Sequence, residues 1–163
     1  VGLGHTHIAV VGSHPDGPLS FDVPDARWRG FGRGIAGAGL DVGSIAFANG
    51  NFSMAGGYEA AAELLNRHPR PTAIFAMSDE MAFGALMALS ERGLHPADDV
   101  SLIGIDDHDV ARVVGLTTVR QRDASHGAAA TRALLSRLAD PSALDTVVES
   151  EIELVVRRTT ARP

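Results

Sequence analysis

Short apolar runs recur along the chain, and each stops at a polar cluster. Residues 7–11 (HIAVV) precede Ser13-His14, and residues 44–47 (SIAF) precede Asn49-Gly50-Asn51. Residues 72–76 (TAIFA) precede Ser78-Asp79, 101–105 (SLIGI) precede Asp106-Asp107, and 117–119 (TTV) precede Arg120-Gln121. A strand apolar on both faces belongs inside a parallel sheet with helices above and below it. The intervening segments supply those helices. Residues 26–38 follow Pro24-Asp25 and carry Phe31 and Ile35 one turn apart. Residues 53–66 are capped by Ser53, with Tyr58, Ala61, Leu64 and Leu65 on one face, and the prolines of 68–71 (HPRP) stop that helix. Residues 79–92 are capped by Ser78, have Asp79 and Glu80 in the first turn, and end at Gly93-Leu94. A last helix is expected over 124–139, closed by Asp140-Pro141, and residues 147–156 alternate as an edge strand does. The expected class is α/β, a doubly wound parallel sheet.

Several chemistries are excluded by what the chain lacks. Without cysteine there are no disulfides, thiolate metal sites or Cys nucleophile, and all fourteen basic residues are Arg. No lysine means no Schiff base and no P-loop lysine. The net charge of −6 comes with no basic stripe, so these residues alone are not expected to bind nucleic acid. The apolar runs fall far short of the roughly 20 residues of a membrane span. At 163 residues one domain is expected, and 1–5 (VGLGH) reads as the tail of a helix cut open, which suggests a fragment. The Gly-rich stretch 30–39 (GFGRGIAGAG) neither follows a strand nor ends in Gly-Lys-Ser/Thr, and reads as a loosely packed helix.

Five polar strand ends at one edge of a parallel sheet form a lined crevice, the usual ligand site of such folds. Phe52 and Trp28 stand where they can stack on a ligand. Asp106 fails as an EF-hand start, because the required Gly and closing Glu are absent. A metal site at Asp107, His108 and Asp109 lacks a second ligand cluster, and no Gly-x-Ser-x-Gly elbow marks a hydrolase. A glycosidase pair would need Asp79 opposite Asp106, and Asp79 suits a helix's first turn instead. The carboxylates read as binding groups; no metal or cofactor is expected.

Residues 3–5 (LGH), 27–31 (RWRGF), 71–79 (PTAIFAMSD), 100–107 (VSLIGIDD) and 116–121 (LTTVRQ) resemble, in order and spacing, the lac repressor family of bacterial transcription regulators. The resemblance covers about 160 residues. It implies the C-terminal part of an effector-binding core related to periplasmic sugar-binding proteins, a two-lobed sensor that closes on a sugar or similar small molecule. In the family a helix-turn-helix head, absent here, makes the DNA contact. Residues 1–121 would form the C-terminal lobe, 122–145 a helix returning to the missing N-terminal lobe, and 146–163 the returning strand and tail. By position, Arg27 and Asp106 resemble effector-hydroxyl ligands, Phe52 the aromatic that stacks on a sugar face, and Gln121 a residue near the lobe crossover. Ser78 stands where many members have Asn, and Asp123 stands near a position that is aromatic in the lac repressor. Asp107 and Asp109 are expected to cap the next turn. A cytoplasmic ligand-sensing domain of a transcription regulator is the expected function; a periplasmic-type sugar-binding protein is the alternative, and an enzyme is not expected.

A homodimer is also expected. Phe83 and Met87 lie at i,i+4 spacing, away from the sheet-facing Met81, Ala85 and Leu89. Val110, Val113 and Val114 crowd a segment that otherwise reads as an exposed loop. Two adjoining apolar patches suggest a subunit interface, and the resemblance implies that the family's cores pair there.

Overall fold

In the computed structural model, residues 2–13, 23–67, 69–121, 123–140, 142 and 151–163 are described. Their strands are β1 (Ile8–Gly12), β2 (Ala46–Asn49), β3 (Ala73–Ala76), β4 (Ser101–Asp106), β5 (Thr117–Arg120) and β6 (Glu153–Val155). Between them run α1 (Val23–Gly37), α2 (Met54–Leu65), α3 (Asp79–Glu91), α4 (Asp109–Val114) and α5 (Asp123–Ala139). The strands form one sheet in the order β2-β1-β3-β4-β5-β6, parallel except for β6, which runs antiparallel to β5. Val10 sits at the centre of the register, opposite Phe47 on one side and Phe75 on the other.

The chain steps from β1 to β2 in one direction and from β2 past β1 to β3 in the other. With right-handed crossovers, that reversal puts α1 on one face and α2 and α3 on the opposite one. It also makes the carboxyl ends of β1 and β3 a topological switch point, where the strand ends splay and leave a crevice. Two caps fix the helices of the second face. Ser53 Oγ accepts from Gly56 N at 3.0 Å, and Ser78 Oγ accepts from Met81 N at 3.3 Å.

The core lies between the sheet and α2–α3, where Val11, Leu64, Ile74, Met81, Leu89 and Leu102 are fully buried. The two helices cross at glycines. A Cβ on Gly84 would lie 2.0 Å from the Met54 carbonyl oxygen, and one on Gly57 would lie 2.4 Å from that of Met81. Only residues without a side chain allow that approach. The other face is less complete than continuously apolar strands imply. There α1 stacks Phe31 on Phe75 (ring centroids 5.3 Å apart), and a cavity of about 600 Å³ remains among Ile8, Phe75, Ile103 and Leu154. The long α5 does not fill it; Leu134, Leu135 and Leu138 on this helix are 60%, 60% and 70% exposed.

Residues 157–161 run back along the strand starts. The Leu102 amide donates to Thr159 O at 2.7 Å, and the Thr117 amide to Thr159 Oγ1 at 2.9 Å. His5, 5% exposed, joins the two ends of the chain: its Nε2–H donates to Ala161 O at 2.8 Å, and Nδ1 pairs with the Thr72 hydroxyl at 2.9 Å.

Several expectations need correction. The second strand begins two residues late because Val42–Ser44 form a 3₁₀ turn, capped by the Asp41 carboxylate. Residues 109–114 are a helix, not a loop. Its cap is His108, whose Nδ1 accepts from Val110 N at 3.2 Å; Asp109 sits in the first turn, and Asp107 is otherwise engaged. Phe83 is buried, 7% exposed, and the His108 ring at the start of α4 meets it edge-on at 5.9 Å. It therefore cannot line an exposed strip. The edge strand is seen at 153–155; the expected positions 147–150, like His14, His68, Pro141 and the side chain of Asp123, fall outside the described residues.

Candidate functional site: a guanidinium and a carboxylate at the strand ends

Helix α1 starts beside the switch point and carries Arg27 in its second turn, over the end of β3. Arg27 Nη1 donates to Met77 O, and Nη2 donates to Asp106 Oδ1 at 2.9 Å. Its guanidinium carbon lies 5.8 Å from the centroid of the Phe52 ring, a cation–π distance. Gln121, just past β5, donates from Nε2 to the same Asp106 Oδ1 at 2.7 Å. Four of the five residues singled out from the sequence therefore meet at one edge: Arg27, Phe52, Asp106 and Gln121.

Ser78 is placed differently. It lies below the others, 4% exposed, with its hydroxyl engaged as the α3 cap. Trp28, half-buried, meets Phe47 edge-on at 5.6 Å and stacks on Phe31 at 5.8 Å, so it packs α1 on the sheet, and it also lines a hollow with Ser13, Pro24 and Val42, apart from Arg27 and Asp106. Met87, Val110, Val113 and Val114 remain exposed, at 53%, 41%, 74% and 40%. Among the described residues, no three His, Asp or Glu side chains gather to hold a metal ion.

Backbone strain concentrates at this edge. Asn51 (φ 49°), Phe52 (φ 48°), Asp106 (φ 124°) and Asp107 (φ 56°) all have positive φ without being glycine. Such conformations persist only where surrounding contacts over-determine them, and they collect at ligand sites. Here the contacts are visible. The Asp107 amide donates to Thr118 Oγ1 at 3.3 Å, and the His108 amide to Asp79 Oδ2 at 2.9 Å. Asp79 is 1% exposed and also accepts from Thr118 Oγ1 at 2.6 Å. Burial raises its carboxyl above the usual aspartate value. Its two hydrogen bonds oppose that shift, and the nearby charges of Asp106 and Asp107 add to it.

Sequence reasoning missed the ion network behind the edge. Asp107 Oδ2 accepts from Arg120 Nε at 2.6 Å, and its Oδ1 from Arg157 Nη2 at 2.5 Å. Burial pushes the Asp107 carboxyl up, but the hydrogen bonds and charges of Arg157 and Arg120 outweigh it and leave the group below its ordinary value. The available signal was period two: along β5 and past it, Arg120 and Gln121 point to opposite sides, as do Asp106 and Asp107.

Chemically, the edge is built for polar recognition. Asp106, with a side chain 38% exposed, offers carboxylate oxygens beside the Arg27 side chain, which is 17% exposed. Together they present charged acceptors and donors at fixed spacing, the arrangement that neighbouring hydroxyls match best. Phe52 adds an apolar face.

Comparison with known proteins agrees with this architecture. The family described as periplasmic binding protein-like domain matches residues 1–160. The HTH-type transcriptional repressor PurR of Pasteurella multocida is 33% identical over 157 residues, 95% of this chain and 46% of that protein. The same-named protein of Klebsiella pneumoniae is 36% identical over 160 residues, 97% of this chain and 46% of that protein. Among solved structures, a LacI family transcriptional regulator from Enterococcus faecium, with bound ribose, superposes with a TM-score of 0.88 at 30% identity, covering 99% of this chain and 59% of that one. The chain thus spans about half the length of the curated relatives it matches. No helix among the described residues is long and apolar enough to cross a membrane. The chain belongs to the periplasmic binding protein-like domain family, and corresponds to part of the effector-binding core of LacI-family regulators.

Proposed function

We propose that this chain supplies one wall of an effector cleft in a cytoplasmic transcriptional regulator, and that the effector is a sugar or a similar polyhydroxylated small molecule. The observation that carries the reading is the shared Asp106 oxygen. It receives Arg27 from α1 and Gln121 from the end of β5, so the carboxylate is fixed from two elements yet still 38% exposed. Such a preorganised acceptor loses little freedom when a hydroxyl arrives. Phe52, already beside the guanidinium, would cover an apolar sugar face. Ribose in the E. faecium regulator and cellobiose in the neighbour described as a CelR–cellobiose complex belong to the same ligand class. DNA binding, in this reading, belongs to a helix-turn-helix head outside these residues, and the regulator works as a homodimer through Met87 and α4.

Calorimetric titration of the full-length protein with a sugar panel that includes ribose and cellobiose tests the cleft. One member is expected to bind saturably, and Asp106→Ala to weaken it by about 1.5–3 kcal/mol, the range for a hydrogen bond to a charged group. Unchanged affinity in both Arg27→Ala and Asp106→Ala would remove the assignment.

A further inference from the structure

The chain leaves the sheet at the end of β5 and returns beside it as β6. A single carboxylate holds both passages to the end of β4. Arg120 reaches Asp107 from the last residue of β5, and Arg157 reaches it from two residues beyond β6. Arg157 is itself tied on other sides: its Nη1 donates to Leu116 O at 2.7 Å, and its amide to Thr117 Oγ1 at 3.0 Å. Arg120 Nη1 bonds Glu153 Oε2 across the β5–β6 pair at 2.9 Å. The Asp107 and Arg157 side chains are only 12% and 15% exposed. This is more than a surface ion pair, which would contribute little.

The residue before Asp107 is the cleft carboxylate. Asp106 turns toward Arg27 and Gln121 while Asp107 turns toward the crossover, and both have positive φ. Neither backbone torsion can relax without moving the neighbouring side chain. We propose that Asp107 is a positioning residue: it locks the outgoing and returning strands to the strand end that carries Asp106, so that strand crossover and cleft geometry are set together. The clamp stands independently of what Asp106 binds. The effector reading is needed only to say what the positioned group does.

The groups facing Asp107 are the Arg120 and Arg157 guanidiniums, with the carboxylates of Asp106 and Asp79 behind it and Glu153 on the far side of Arg120. Its depressed folded value means that the clamp is present above the ordinary aspartate range and is lost as pH falls through the lowered value.

Hydrogen exchange by mass spectrometry on the full-length protein, with selective ¹⁵N-Gln labelling for NMR, tests the proposal. In Asp107→Asn, amides of 153–155 should exchange about tenfold faster or more, while α2 and α3 keep their protection. The Gln121 side-chain amide signal should shift, although Gln121 does not touch Asp107. After correction for intrinsic rates, the wild-type protection of 153–155 should fall in acid, and that fall should be absent in the variant. Should Asp107→Asn fail to fold, Arg157→Gln should give the same acceleration and Gln121 shift. Unchanged exchange at 153–155 in the folded variants overturns the clamp. Faster exchange with an unmoved Gln121 signal and an unaltered pH profile reduces Asp107 to a local tie and overturns the positioning role. Failure of sugar binding in the calorimetry leaves these readouts intact, so the two readings fail separately.

Discussion

Replacing Gly84 with alanine tests the packing of α2 against α3. A Cβ at this position would sit 2.0 Å from Met54 O and 2.5 Å from Tyr58 N, both backbone atoms of α2. Ordinary contact begins at 3.4 Å, so α2 and α3 would have to part by more than an ångström. Neither atom is the end of a flexible side chain, and the contact cannot be relieved by a rotamer change. Forcing a methyl group into a packed core costs about 1–3 kcal/mol, and backbone crowding belongs at the upper end. Alanine recovers up to about 1 kcal/mol of helix propensity. The net expectation is a loss of at least about 2 kcal/mol. Gly34 is the control, since it also lies within a helix but nothing stands within 4 Å of its would-be Cβ. Gly34→Ala should stabilise by about 0.5–1 kcal/mol, from propensity alone. Urea unfolding followed by circular dichroism reads both, with the slope checked for constancy. If Gly84→Ala is as stable as wild type while Gly34→Ala gains, the close crossing of α2 and α3 is wrong.

Other perturbations reach the edge and the surface. Val113→Glu, at a position 74% exposed, should leave the circular dichroism intact and give a monomer in analytical ultracentrifugation; a persistent dimer excludes α4 from the interface. Phe83→Glu should instead unfold the protein, because it places a carboxylate at a buried position beside the His108 ring, and a folded monomer there would contradict the observed burial. Asp79 titrates from a raised value, so its protonated form contributes stability below the ordinary value of 3.8, and that contribution is lost as pH rises through the folded value. The stability of Asp79→Asn relative to wild type should therefore improve from pH 3.8 toward neutrality in urea titrations; a difference independent of pH would show that Asp79 is not strained by burial. These residues, carrying a net charge of −6, should give no salt-dependent mobility shift with duplex DNA at about 50 mM salt.

Much of this molecule is legible in its sequence because local chemistry and burial agree. The strands are apolar on both faces, and Ser53 and Ser78 stand at the caps where they serve. Polar residues collect where strands end, and Arg27, Phe52, Asp106 and Gln121 do meet. The misreadings have a common origin in contacts distant along the chain. Six residues are too few to show helical periodicity, so α4 looks like a loop. Once α4 is taken for a loop, its His108 cap, whose ring meets Phe83, is invisible. Asp107 resembles a capping residue because its partners lie 13 and 50 residues away. Trp28 is one position past Arg27, and a helical step of about 100° carries its ring away from Asp106 to Phe31 and Phe47.

The imidazole of His5 and the carbonyl of Ala161 are one hydrogen bond apart, beside Thr72 and Ser101 at the edge where strands begin. Arg27 and Asp106 meet at the edge where they end. The tie between His5 and Ala161 closes the edge remote from the cleft, although its two residues lie 156 positions apart in the chain. A fluorophore attached on that edge would sit away from the strand ends, which could then report on an effector that the attached group never meets.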